Sequence, residues 1–184
     1  MYVLLIGDLH IPHRSLDLPA RFKSLLLPGK IDMVLCTGNL NTRESLEYLR
    51  TIANDVHVVR GDFDDPTLSL PESKVIRVGK YKFGLCHGHQ VIPWGDANAL
   101  AALQRELDVD VLVTGHTHAL SVEKTVDGKL LLNPGTATGA FSPCTLNNLT
   151  PSFILLNVED ESIALFSYTL GDDGVPVIDR QSFP

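Results

Sequence analysis

Five short apolar runs along this chain break off in the same way, each into residue types that bind metal ions. "YVLLI" (2–6) runs into Asp8 and His10, "MVLC" (33–36) into Gly38-Asn39, and "VHVV" (56–59) into Gly61-Asp62. "FGLC" (83–86) runs into His87-Gly88-His89, and "VLVT" (111–114) into Gly115-His116-Thr117-His118. Runs such as "YVLLI" and "MVLC", apolar at every position rather than at alternate ones, predict strands covered on both faces. In α/β sheets the loops that follow the carboxyl ends of strands converge on one crevice. Asp8, His10, Asn39, Asp62, His87, His116 and His118 are therefore expected to meet there as a metal site.

Each piece alone is a weak signal, and the competing reading is a set of solvated loop histidines. The D-x-H at 8–10 is common by chance; the H-x-H at 116–118 is more specific, because two imidazoles on one turn can face the same divalent ion. Their coincidence at strand ends favours the metal. His13 and His57 are expected to be structural, His89 to orient His87 or to face solvent, and Asp64 and Asp65 to cap a turn. "NPGTATGA" (133–140) lacks the lysine of a phosphate-binding loop and predicts a backbone turn beside the crevice.

Between the strands the pattern is helical. "PARFKSLLL" (19–27) and "NTRESLEYLRTIA" (41–53) alternate with the first three strands, giving β-α-β-α-β and a mostly parallel sheet. Asn41 and Glu44 have the spacing of a capping box. "KVIRV" and "YKFGLC" flank Gly79-Lys80 as a hairpin, "ANALAALQREL" (97–107) is a helix, and from 119 onward the pattern is strands. Two facing sheets flanked by helices accommodate both halves. A chain of 184 residues predicts a single domain, 1–184, and "FSPCTLNNLTP" (141–151) its mobile loop.

The balance of 15 basic against 22 acidic residues, without a basic cluster, argues against a nucleic-acid partner. Three cysteines at wide spacings, Cys36, Cys86 and Cys144, indicate neither a disulfide framework nor a thiolate zinc site, and point to a reducing, cytoplasmic setting. The apolar N-terminus lacks the basic region of a signal peptide, and no apolar run approaches the ~20 residues of a membrane span.

The ordered motifs "GDLH", "GN" (38–39), "GDFD" (61–64), His87 and "GHTH" resemble those of the calcineurin-like metallophosphoesterases. Within them, "GDLHIPHR", "LPGKI", "VVRGDFD", "HGHQVIPWGD" and "NPGTATGA" resemble the branch that forms the small subunit of the retromer coat. The resemblance implies a four-layer α-β-β-α sandwich. It also implies a scaffold role in endosome-to-Golgi and recycling transport, on endosomes but touching membranes only through other subunits. A helical-solenoid subunit would cover the metal crevice, with Val91 and Ile92 in its contact region. A second surface, mapped by position to Tyr2, Leu155, Phe166 and Tyr168, would take regulators such as a Rab GTPase-activating protein.

The chain departs from the enzymes of that family at two positions. Where they carry an Asp bridging two metals it has Asn39, and where they carry a general-acid His it has Phe63. Two divalent ions about 4 Å apart repel by roughly 15–20 kcal/mol at an effective dielectric near 20. A neutral amide offsets that poorly, and Asp62 restores the charge on one side only. The expectation is zinc or manganese bound weakly or unequally. Phe63 has no proton to give, and instead suits a docking partner. The alternative is a metal-dependent phosphoesterase of restricted substrate range.

Overall fold

Alternate residues of the first strand, β1 (Tyr2–Ile6), enter two different cores, which explains why every position beyond Tyr2 is apolar. Val3 and Leu5 point between two sheets, where they meet Leu35, Ile154, Phe83, Leu85, Val113 and Leu132. Leu4 and Ile6 point the other way, against Phe22 of helix α1 (Ala20–Leu25) and Leu49 of helix α2 (Arg43–Ile52). This is a computed structural model, describing residues 1–145 and 149–184. Residues 146–148, inside the stretch expected to be mobile, lie outside the described residues.

β1 pairs in parallel with β2 (Met33–Cys36), and β2 with β3 (Asp55–Val58). After a hairpin of β4 (Ser73–Val78) and β5 (Tyr81–Cys86) come helix α3 (Ala97–Glu106), β6 (Val111–Val113), β7 (Leu120–Lys124) and β8 (Leu130–Pro134). β9 (Ser152–Val158), β10 (Ile163–Leu170) and β11 (Pro176–Phe183) then return to the first sheet. The six-stranded sheet has the order β11-β10-β9-β1-β2-β3 and the five-stranded sheet β4-β5-β6-β8-β7, both mixed. Leu100, Leu103 and Leu107 of the α3 region cover the outer face of the second sheet over Leu112 and Leu131. The result is the expected helix-sheet-sheet-helix layering, with all five ligand-bearing strand ends, those of β1, β2, β3, β5 and β6, on one rim.

Two local expectations change. Thr42, not Asn41, caps α2: its hydroxyl accepts from the Ser45 amide at 3.3 Å. Asn41 is one residue too early, in a left-handed turn (φ 71°) with its own amide donated to Asp64 at 2.8 Å. Of the two aspartates expected to cap a turn, Asp65 does so, accepting from Thr67 at 2.8 Å. Asp64 is instead buried and holds the amides of Asn39, Asn41 and Gly61, each at 2.8 Å.

Candidate metal centre

The loops that carry the site are strained. Asp8, His10, Asn39, His116 and His118 all have positive φ, between 47° and 68°. L-residues other than Asn and Asp rarely adopt that conformation, and runs of it mark functional loops. Packing enforces it here. Gly38 (φ 99°) lies so close to the neighbouring loop that a Cβ would come within 2.6 Å of the Gly61 nitrogen and 2.7 Å of the Val59 oxygen. From the far side the 133–140 turn supports the first loop: Thr136 donates to the Asp8 carbonyl at 2.8 Å and Thr138 to that of Leu9 at 2.9 Å.

All seven side chains expected to converge do so, in two adjoining groups. In the first, Asp8 Oδ1 lies 3.3 Å from His118 Nε2 and 3.7 Å from His10 Nε2, and the two imidazole nitrogens are 3.2 Å apart. In the second, Asp62 Oδ1 lies 3.1 Å from His87 Nε2 and 3.7 Å from His116 Nδ1. Asn39 stands between them, its Nδ2 within 3.1 Å of Asp8, 3.0 Å of Asp62 and 3.0 Å of His87. All but Asp62 are buried.

The protons on these rings follow from their partners. His118 Nδ1 faces the Ala140 carbonyl at 2.6 Å and His87 Nδ1 faces the Thr37 carbonyl at 2.7 Å. A carbonyl only accepts, so both Nδ1 atoms carry hydrogen and both Nε2 atoms face a carboxylate. Two acceptors at such distances need a proton or a cation between them. His10 Nδ1, moreover, is buried without a partner among the described residues. This donor set fits a divalent ion.

The electrostatics agree. Burial works against the charge on Asp8, but His87, His118 and His10 prevail and hold its carboxyl below the usual range. Burial opposes the Asp62 charge too, yet His116, His87 and Asn39 hold it far below that range. Burial alone would depress His87, but Asp8 and Asp62 raise it. Burial pushes His10 down to about 4.

Around the mouth the surface is apolar. Phe63 is 51% exposed, with its ring edge-on to His10 at 5.5 Å and the Arg14 guanidinium 4.4 Å above it. Trp94 packs edge-on against His116 at 4.7 Å, Ile92 is exposed and Val91 half-buried. The crevice between Phe63 and Trp94 has a volume of about 250 Å³; Val91 and Ile92 stand outside its lining and border a neighbouring groove with Gln90 and Leu103. A larger cavity, about 590 Å³, lies at the opposite ends of the strands, lined by Tyr2, Leu25, Ile31, Phe153, Leu155 and Tyr168. Phe166, grouped with that surface by position, stands outside its lining, with Arg180 5.7 Å from its ring.

The expected structural roles hold for His57, paired with Asp55 at 3.0 Å and Lys74 at 2.8 Å, and for His13, bonded to the Asn41 amide at 2.7 Å. The role in orienting His87 falls to the Thr37 carbonyl, not to His89. His89 instead joins Asp62 and His87 in a group able to hold a metal. The H-x-H spacing at 87–89 is the signal for it, since it repeats the spacing of the two expected ligands at 116–118.

Residues 1–161 match the sequence profile of the calcineurin-like phosphoesterase superfamily domain. The chain is also 38% identical over 180 residues to vacuolar protein sorting-associated protein 29 (Vps29) of Schizosaccharomyces pombe, spanning 96% of this chain and 95% of that protein. The chain belongs to the Vps29 branch of the calcineurin-like phosphoesterase superfamily. Other Vps29 proteins share its architecture throughout. Wild-type Vps29 of Entamoeba histolytica, solved in complex with Zn²⁺, is 52% identical, covers 100% of both chains and superimposes with a TM-score of 0.93. Chaetomium thermophilum Vps29, solved with a cyclic peptide, is 37% identical, with coverage of 100% of this chain and 96% of that one and a TM-score of 0.85.

Proposed function

We propose that this chain is a non-catalytic scaffold subunit of a retromer-type coat, a single domain that works in the cytoplasm, peripherally on endosomes. The observation that carries the reading is Phe63. It occupies the mouth of the crevice where the phosphoesterases need a proton donor, and an apolar ring cannot protonate a leaving oxygen. Loss of a general acid removes about 10² to 10⁴ in rate. A divalent ion bound here would supply Lewis acidity and an activated water. Asp8, His10 and His118 would hold one such ion and Asp62, His87 and His116 another, but no residue of the crevice would assist the leaving group.

What remains is a rigid frame with an apolar rim. Phe63, Ile92, Trp94 and Phe141 are 51%, 77%, 51% and 69% exposed, a combination suited to a protein surface docking over the crevice. The helical-solenoid subunit of retromer is the partner assigned to that face, through Phe63, Val91 and Ile92. Regulatory proteins such as a Rab GTPase-activating protein are assigned to the cavity at Tyr2, Leu155 and Tyr168, with Phe166 beside it. Zinc or manganese is the cofactor, held unequally at the two positions because Asn39 brings no charge between them.

The test compares hydrolysis of an activated phosphodiester by the wild type and by Phe63→His with manganese present, alongside capture by the solenoid subunit. Turnover is expected only in the variant, and Ile92→Asp is expected to abolish capture. Metal-dependent turnover by the wild type, lost in Asp8→Ala, would sink the scaffold reading and revive a phosphoesterase of restricted range.

A further inference from the structure

The histidines of the crevice differ in what holds the ring nitrogen that faces away from it. His87 and His118 turn Nε2 inward and give Nδ1 to a main-chain carbonyl, at 2.7 and 2.6 Å. His116 is turned the other way: Nδ1 lies 3.7 Å from Asp62 Oδ1, and Nε2 faces the Cys144 sulfur at 3.8 Å. A neutral imidazole that gives Nδ1 to a cation carries its one hydrogen on Nε2. In a buried ring that hydrogen needs an acceptor, and a thiol sulfur is one, though weaker than a carbonyl.

We propose that Cys144 is a positioning residue of the second metal position, its sulfur accepting the Nε2 hydrogen of His116 and so aiming Nδ1 at the ion beside Asp62. Cys36 and Cys86 are sealed in the helix-covered cores, whereas Cys144 is half-buried and lines the crevice. Its place is set by its neighbours. The Cys144 amide donates to the Ser142 hydroxyl at 3.2 Å, and the Thr145 hydroxyl donates to the Thr117 carbonyl at 2.7 Å, which ties this turn to the loop that carries His116. Trp94 packs against the same imidazole, so sulfur and indole together fix the ring. The sulfur thus does for His116 what the Thr37 and Ala140 carbonyls do for His87 and His118.

The inference rests on the metal centre proposed above, and its test separates the two. Zinc is titrated calorimetrically into the full chain as wild type, Cys144→Val and Cys144→Ser, and the rings of the ¹⁵N-labelled wild type are followed by long-range ¹H–¹⁵N spectra. In the zinc form His116 is expected to bind through Nδ1 and to keep its hydrogen on Nε2. Cys144→Val stays close in volume but has no acceptor. It is expected to weaken one zinc step by about tenfold or more, the usual effect of losing a ligand's hydrogen-bond partner, with the other step and the metal-free melting temperature unchanged. Cys144→Ser, whose hydroxyl accepts, is expected to bind zinc more tightly than Cys144→Val. Three results overturn the proposal and leave the metal centre standing: zinc on Nε2 of His116, equal affinities in wild type and Cys144→Val, or no gain from serine over valine. Absence of zinc binding by the wild type overturns both.

Discussion

Asp64 accepts three buried amides with one carboxylate, from Asn39, Asn41 and Gly61, and so fastens the loop after β2 to the loop after β3. Asp64→Ala would leave all three unsatisfied, and at about 1–3 kcal/mol for each such group the cost is expected to be at least 3 kcal/mol, read by urea unfolding without metal. His57 makes a second residue-level prediction. Burial, helped by Lys74, lowers its pKa below the ordinary histidine value of about 6.5, outweighing Asp55. The folded state then binds fewer protons than the unfolded one, so its contribution is complete above pH 6.5 and is lost as pH falls from there toward the folded pKa. His57→Gln should remove that part of the acid slope; an identical slope in both proteins would contradict the assignment. Ligand types such as Asp8, His116 and His118 were legible in the sequence because they follow apolar runs. The role of Asp64 was not, since a carboxylate that gathers amides from 3, 23 and 25 residues away has no local pattern.

At the scale of elements, strands and helices were legible because both faces of the central strands are covered, which leaves continuous apolar runs such as "VLLI". Caps were less so. Asn41 and Thr42 are both good capping types, and only the left-handed turn at Asn41 (φ 71°) decides between them. Thr42→Ala should cost about 1 kcal/mol in thermal unfolding, the usual value of a lost N-cap. The same change at Asn41 should act mainly through His13, to which its side chain is bonded at 2.7 Å. Gly38→Ala is the severe case: with φ at 99° and backbone atoms within 2.7 Å of the new methyl, β2 and β3 cannot both keep their carboxyl-terminal loops in place. Loss of zinc binding along with a lowered melting temperature is the expected result.

For the molecule as a whole, the two surfaces proposed for recognition lie at opposite ends of the same strand. Tyr2 opens β1 at the larger cavity and Asp8 follows its other end in the metal centre, about 20 Å away at the rise of an extended chain. Leu155→Asp should therefore leave zinc affinity unchanged, since it sits far from every proposed ligand. Zinc at a hundredfold over its dissociation constant should stabilise the fold by about 2.7 kcal/mol, reversed by a chelator. The partners proposed for these surfaces had no signal in composition or periodicity; only the longer motifs pointed to them. One further property belongs to the entire chain. Among 184 residues there is a single tryptophan, and Trp94 leans on His116 at the crevice mouth. All indole fluorescence of this protein thus originates within van der Waals reach of the metal centre. A paramagnetic ion should quench it, a docking partner should shift it to the blue, and unfolding should shift it to the red. Cation, partner and fold are reported by one intrinsic optical probe, with no label attached.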